Sequence, residues 1–171
     1  MMKRAAGILM PISSLPGKYG IGCFSEEAYR FVDFLQGAAQ SYWQILPIHP
    51  TGYGDSPYQS FSTYAGNPYF IDLEKLMEEG VLEESECNSL YFGNDEKDID
   101  YKALYDNRYI LLRKAYERSQ ISQNPAYHQF VAENEWWLSD YALFMALKEF
   151  FCGAAWYEWP EDIRLRYGYA M

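Results

Sequence analysis

Basic charge and long apolar segments are both scarce in this 171-residue chain. Its 14 Lys and Arg residues face 24 Asp and Glu residues, so the formal net charge is −10. Nonspecific binding to nucleic acid requires clustered Lys and Arg against phosphates, and we therefore expect no nucleic-acid partner. No apolar run approaches the roughly 20 residues that a membrane helix requires, so we expect no membrane partner either.

Cysteine and targeting signals are also sparse. The three cysteines are odd in number and far apart in the sequence: Cys23, Cys87 and Cys152. This pattern argues against a disulfide framework or a zinc site and is typical of a reducing cytoplasm, which is the predicted location. The two histidines, His49 and His128, lack the spacing of a zinc-binding helix. The short apolar stretch at residues 5–10 ends at Pro11, so we predict no signal peptide.

Aromatic residues, in contrast, are abundant. The chain has 17 Tyr, 10 Phe and 5 Trp residues. Tyr and Trp combine a flat apolar face with a polar group. A pyranose ring has an apolar C–H face and a rim of hydroxyls, so such side chains suit sugars. Composition alone favours a tyrosine-rich core over a sugar-binding role, and the choice between them depends on the motifs.

The first 75 residues have the pattern of a strand–helix–strand unit. Residues 5–10 and 42–46 are short apolar runs, and a proline follows each of them. Between them, Ser25 is positioned to cap a helix over residues 26–39. The apolar stripe of that helix is Ala28, Phe31, Val32 and Leu35. Two strands joined by a crossover helix pair in parallel, which predicts an α/β fold that one such unit does not complete.

The part after residue 75 is predicted to be mainly helical. Three capping residues predict helix starts: Asp72, Asp100 and Asn124. The first helix ends at Gly80, the second spans residues 101–118, and the third reaches Phe151. Residues 68–73 are predicted to add a short extended segment. Two apolar stripes predict buried helix faces: Leu104, Arg108, Leu111 and Ala115 in one, and Trp137, Tyr141, Phe144, Leu147 and Phe151 in the other.

Residues 47–67 are predicted to form a long loop after the second strand. Loops at the carboxyl ends of strands carry function in parallel α/β folds. Ser56 and Tyr58 can donate and accept hydrogen bonds, and Pro57 between them stiffens the backbone. This combination suits a polyol. Asp55 is the one carboxylate in the loop, whereas cleavage of a glycosidic bond usually requires two.

Four segments carry a resemblance to a known family: ILMPISSLPGKYGIG, EAYRFVDFL, YWQILPIHPTGYGDSPYQSFSTYAGNPYFIDL and WLSDYALFMALKEFFCGAAWYEWP. They resemble the N-terminal signature of bacterial amylomaltases, which are 4-α-glucanotransferases. The resemblance covers nearly the whole chain, and GDSPYQS followed by AGNP is its most specific part. The family usually has an Asp near the position of Cys23, so the chain departs from the pattern there.

The resemblance implies a (β/α)8 TIM barrel with helical insertions. On this basis, residues 1–75 are the first β/α units, with a glucan-contact loop at 47–67. Residues 76–171 are then a mainly helical insertion subdomain. The remainder of the barrel, which carries the catalytic carboxylates, is missing from the sequence. We therefore expect no catalytic residue in this chain, and no transferase activity from it alone.

The resemblance also implies a reaction and a set of site residues. The family transfers α-1,4-glucan segments between maltooligosaccharides or to glucose, by a retaining double displacement without a cofactor or metal. Ser56 and Tyr58 match positions beside the donor sugar, and Tyr53 matches an aromatic glucan contact. Asp55 matches a position to which we assign loop shaping. Two alternatives are a noncatalytic glucan-binding module and a helical interaction protein built on residues 100–171, which leaves the first part unexplained.

Overall fold

A computed structural model describes residues 4–52, 54–95 and 97–170 of the chain, which divides into two compact units. Unit 1 is Met1–Gln123 and unit 2 is Asn124–Met171. Unit 1 has a mixed α/β fold with a small parallel sheet, and the described part of unit 2 is helical. No described helix is both long and apolar enough to cross a membrane.

The sheet consists of strands β1 (Gly7–Leu9) and β2 (Tyr42–Gln44). They pair in parallel, with Ile8 opposite Trp43, and helix α1 (Glu26–Gly37) lies between them in sequence. The predicted strand–helix–strand unit is therefore confirmed. Both strands are shorter than predicted. The amide of Met10 still donates to the carbonyl of Gln44 at 3.0 Å, and pairing stops at Pro11, which has no amide hydrogen.

Helix α1 packs its predicted stripe only in part. Ala28 and Leu35 are buried, and Phe31 meets Trp43 edge-to-face with 4.9 Å between ring centroids. Val32 is exposed. Ser25 directly precedes the helix as predicted, but its side chain makes no capping hydrogen bond in the structure.

The segment after the long loop is helical rather than extended. Pro68–Phe70 forms a turn of 3-10 helix, where residues 68–73 were predicted to be extended. The carboxamide oxygen of Asn67 accepts a hydrogen bond from the amide of Tyr69 at 2.9 Å. Pro68 has its backbone fixed in a conformation that suits the first helical position. The cap and the proline together favour the helical turn.

Three α-helices follow in unit 1: α2 (Leu73–Glu78), α3 (Glu84–Asn88) and α4 (Tyr101–Arg118). Asp72 and Asp100 cap α2 and α4 as predicted, accepting from the amides of Glu74 at 3.0 Å and Ala103 at 2.9 Å. The sequence did not predict α3. Further 3-10 turns span Ile12–Ser14, Ile121–Gln123 and Trp156–Glu158.

The main core of unit 1 is built from side chains on both sides of residue 75. Its buried members are Tyr19, Ile21, Tyr69, Leu73, Leu82, Cys87, Phe92, Leu104, Leu111 and Ala115. The predicted buried face of α4 is confirmed, including Arg108, which is 1% exposed. All three cysteines are free thiols. The proposed division into barrel units at 1–75 and an insertion at 76–171 remains a prediction.

Unit 2 contains α5 (Pro125–Phe150) and the short α6 (Glu161–Arg164). Asn124 caps α5 as predicted, accepting from the amide of Ala126 at 2.9 Å. Phe144 and Phe151 pack against Trp159, with ring centroids 5.6 and 5.5 Å away. No residue of α5 is fully buried, so its predicted stripe is only half-buried in the structure.

Candidate functional site

A cavity of about 300 Å³ opens in unit 1 beyond the carboxyl ends of both strands. Its lining comes from the segment after β1, the segment after β2, the long loop and the start of α4. The lining residues are Pro11, Ile12, Ser13, Ser14, Ile21, Leu46, Pro47, Ile48, Thr51, Asp55, Pro57, Asn67, Phe70, Ile99 and Tyr101. The cavity therefore lies where parallel α/β folds bind their ligands.

The long loop is folded back on itself beside this cavity. Thr51 and Ser60 form an antiparallel bridge, and the amide of Gly52 donates to the carbonyl of Gln59 at 2.9 Å. Within the bridge, the amide of Asp55 donates to the carbonyl of Gly52 at 3.1 Å. Because its own backbone groups hold the loop, less conformational entropy is lost when a ligand binds.

Ser56 and Tyr58 flank Pro57, which lines the cavity. The hydroxyl of Ser56 accepts a hydrogen bond from the amide of Tyr58 at 3.3 Å. Tyr58 is 75% exposed. Neither Ser56 nor Tyr58 belongs to the lining, so the structure brings them to the edge of the cavity rather than into it. Their contact with a donor sugar stays a prediction.

Asp55 is the one carboxylate in the cavity lining. Its backbone lies in the left-handed region, with φ of 56°, which Asp adopts more readily than most residues. Burial raises the pKa of its carboxyl above the ordinary value. Burial also raises the pKa of the nearby Tyr101 hydroxyl, and the charge of Asp55 adds to that effect. Asp55 therefore lies in the cavity lining, and its loop-shaping role stays a prediction.

The remaining predicted residue, Tyr53, lies outside the described residues. Sequence reasoning missed Ser13, Ser14 and Tyr101, whose polar side chains belong to the lining. A signal for the two serines was present, because they follow directly after the first predicted strand. Tyr101 comes from the start of α4, and no local pattern connects it with the loop.

Asn67 and His49 each link the two ends of the loop. The amide of Asn67 donates to the carbonyl of Ile48 at 2.9 Å, and its side chain caps the next helical turn. His49 Nδ1 lies 3.2 Å from the carbonyl oxygen of Ala65. Both residues therefore contribute to the backbone architecture of the loop.

The cavity lining provides hydroxyls, one carboxylate, aromatic rings and apolar side chains. Such a set can bind a polyol through hydrogen bonds and ring contacts. Within residues 4–52, 54–95 and 97–170, no group of three or more His, Cys, Asp or Glu side chains is placed to hold a metal ion. One carboxylate does not supply both the nucleophile and the acid that a retaining glycosyl transfer requires.

Comparisons with known proteins agree on one family. A family profile described as 4-alpha-glucanotransferase matches residues 10–171. The 4-alpha-glucanotransferase of Streptococcus pneumoniae is 50% identical over 173 residues, covering 100% of this chain and 34% of its own. That of Thermus thermophilus is 44% identical, covering 96% of this chain and 33% of its own.

A solved structure, the amylomaltase from Streptococcus agalactiae in complex with acarbose, matches with a TM-score of 0.85 and 43% identity. The match covers 94% of this chain and 32% of that one. The chain thus spans about a third of the length of the relatives that it matches. With a profile match over nearly all of its residues, the chain belongs to the 4-alpha-glucanotransferase family.

Proposed function

We propose that this chain forms one wall of the glucan site of a 4-α-glucanotransferase. The enzyme moves α-1,4-glucan segments between maltooligosaccharides or to glucose, with retention at the anomeric carbon. The observation that carries the proposal is the hydroxyl-lined cavity at the carboxyl ends of β1 and β2, with Tyr58 at its edge. Family membership supports the choice of an α-glucan over other polyols.

In the proposed architecture, residues 1–75 supply the first β/α units of a (β/α)8 barrel. The parallel pairing of β1 with β2 and the position of the cavity beyond their carboxyl ends support this assignment. The relatives are about three times as long as this chain, so the pair of catalytic carboxylates is assigned to the part of the enzyme outside it. The helices after residue 75 are assigned to an insertion between barrel units.

The site residues have distinct proposed roles. Tyr58 offers its exposed ring as a platform for the apolar face of a donor sugar, and Ser56 offers a hydroxyl contact. Asp55 shapes the loop and borders the cavity. Tyr53 is proposed as a further aromatic contact on the strength of the resemblance alone. The expected substrates are maltooligosaccharides, α-1,4-glucan and, as acceptor, glucose; acarbose, which the solved relative binds, is a suitable probe.

The noncatalytic glucan-binding module is the second candidate. It uses the same cavity and the same aromatic loop, but the relatives compared above are transferases, which favours the enzyme. The two candidates differ in whether the protein carries a carboxylate pair opposite this wall. Reading the coding frame beyond Met171 separates them, because only the enzyme requires further strands with Asp and Glu at their carboxyl ends.

Replacing Tyr58 tests the proposal in the enzyme expressed from the whole frame. With maltotriose as the only substrate, Tyr58→Ala is expected to lower kcat/KM by roughly two- to tenfold, since an aromatic contact is worth about 0.5–1.5 kcal/mol beyond its area. Tyr64→Ala is the matched control, because Tyr64 is an exposed tyrosine of the same loop that, unlike Tyr58, does not adjoin a residue of the cavity lining. Equal kinetics for Tyr58→Ala and the unmodified enzyme would remove Tyr58 from the site. A frame that ends at Met171 would overturn the enzyme in favour of the module.

A further inference from the structure

Arg108 is a buried cation of unit 1. It lies in the middle of α4, and only 1% of its surface is exposed. Among the ion pairs of the described residues, none involves Arg108, and its Nε atom has no hydrogen-bond partner. A buried guanidinium without a paired carboxylate usually stabilises a fold less than an apolar side chain of similar volume. Its contribution therefore has to be sought in the two groups that it binds.

Those groups are the backbone carbonyls of two separate segments. Arg108 Nη1 donates to the carbonyl of Tyr19 at 3.4 Å, and Nη2 donates to the carbonyl of Ile71. Tyr19 stands two residues before Ile21, and Ile71 directly follows Phe70. Ile21 and Phe70 both line the cavity. One guanidinium thus ties together the backbones that carry two parts of the cavity wall.

The segment that follows Tyr19 has little room to move independently of this contact. The amide of Gly22 donates to the carbonyl of Ser13 at 3.1 Å, and that of Phe24 donates to the carbonyl of Phe70 at 3.3 Å. A Cβ atom on Gly22 would lie 2.2 Å from the carbonyl oxygen of Ile12, which shows how closely the two backbones approach. A shift of this segment is therefore passed on to the wall formed by residues 12–14.

We propose that Arg108 is a positioning residue of the glucan site. The two terminal nitrogens of its planar guanidinium fix the distance between the two wall segments. This distance determines how tightly the cavity binds the glucan. The inference rests on the proposed function and deepens it, since Arg108 acts through Ile21 and Phe70 and does not itself line the cavity. Lysine is not equivalent at this position, because its compact ammonium lacks the fixed geometry with which a guanidinium meets two acceptors.

Steady-state kinetics of the enzyme expressed from the whole frame test the inference. Arg108→Met is expected to raise the KM for maltotriose by about tenfold or more, since small misplacements at a site have effects of this size. The kcat is expected to change little, because Arg108 is proposed to act on binding of the glucan and not on the chemical step. Arg108→Lys keeps the charge but lacks the planar guanidinium. It is expected to give a KM between those of the unmodified enzyme and Arg108→Met.

Arg118→Met is the matched control. It removes another arginine of α4, one that pairs with Glu86 at the surface, so it is expected to leave the KM unchanged. A merely structural role for Arg108 predicts a lower melting temperature with an unchanged KM in the folded enzyme, and that result would overturn the inference. If Arg108→Met fails to fold, Arg108→Lys decides: a raised KM supports the inference, and an unchanged KM overturns it. An unmodified enzyme without transfer from maltotriose would instead overturn the proposed function, and the inference with it.

Discussion

At the residue scale, Cys23 and Arg108 place a buried thiol within the electrostatic influence of a buried cation. Both residues are buried, and against the larger effect of burial the positive charge of Arg108 lowers the pKa of the Cys23 thiol. Burial raises the pKa of the Cys23 thiol, so the neutral thiol is the form that meets the charge. The resemblance noted for the sequence has an Asp near this position. A carboxylate there would face a cation that pairs with no acid in the described residues.

We therefore expect Cys23→Asp to stabilise the chain. A hydrogen bond to a charged group contributes about 1.5–3 kcal/mol, and the desolvation of the carboxylate reduces that gain, so the net increase in the free energy of unfolding is about 1 kcal/mol. Urea denaturation near neutral pH measures this increase in the free energy of unfolding. Cys23→Asn, with similar shape but no charge, is the comparison. Equal free energies of unfolding for the two variants would show that the charge of Arg108 does not stabilise a carboxylate at position 23.

The sequence predicted the buried position of Arg108 but not the carbonyls to which it donates hydrogen bonds. Its spacing from Leu104 and Leu111 placed it on the buried face of α4, and the structure confirms this. The carbonyls that it binds belong to Tyr19 and Ile71, which are 89 and 37 residues away in sequence. Helical periodicity carries information over a few turns only. The same limit explains why the hydroxyls of the long loop were predicted as site candidates while Tyr101 was missed.

At the scale of elements, one glutamate tethers α3 to α4. Glu86 on α3 accepts from Lys114 at 3.0 Å and binds both terminal nitrogens of Arg118, at 2.7 and 2.9 Å. These hydrogen bonds, those from Arg118 first and from Lys114 second, lower the pKa of the Glu86 carboxyl from 4.5 to about 2. The bidentate geometry distinguishes this cluster from an ordinary single surface pair.

The depressed pKa gives the tether a defined pH dependence. A carboxyl whose pKa is lower in the folded state contributes its stability above the unfolded value, about 4.5, and loses it as the pH falls toward about 2. We expect Glu86→Gln to lower the urea midpoint at neutral pH, and the difference from the unmodified chain to shrink through that window. Glu84→Gln, which removes one exposed pair with Lys18, is expected to have a smaller effect. A midpoint difference that persists unchanged to about pH 2 would contradict the assignment.

Elements with a local signal were predicted well, and those without one were not. Asp72, Asp100 and Asn124 each accept a hydrogen bond from an amide two or three residues on, so their signal lies within the sequence window of the helix start. The five residues of α3 are too few to show a helical period. At residues 68–70 the apolar pattern favoured an extended segment, but the Asn67 cap and Pro68 produced a helical turn.

At the scale of the whole molecule, the two units differ in how deeply they bury their side chains. Eighteen apolar residues are buried among those described, and Trp159 is the one that belongs to unit 2. Helix α4 of unit 1 buries five of its 18 residues, whereas α5 of unit 2 buries none of its 26. Length and burial therefore make opposite predictions about which helix is more stable.

Amide hydrogen exchange of the 171-residue chain decides between them. Isolated helices gain stability with length, which alone would protect α5. Tertiary packing usually outweighs this effect in proteins, so we expect the central amides of α4 to exchange more slowly than those of α5. Equal or stronger protection of α5 would contradict the burial argument.

In the enzyme expressed from the whole frame, the proposed barrel adds further segments against which the half-buried stripe of α5 can pack. Slower exchange in α5 is then expected, with α4 as the internal reference; an α5 that exchanges as fast there as in the 171-residue chain would argue against packing of that stripe in the enzyme.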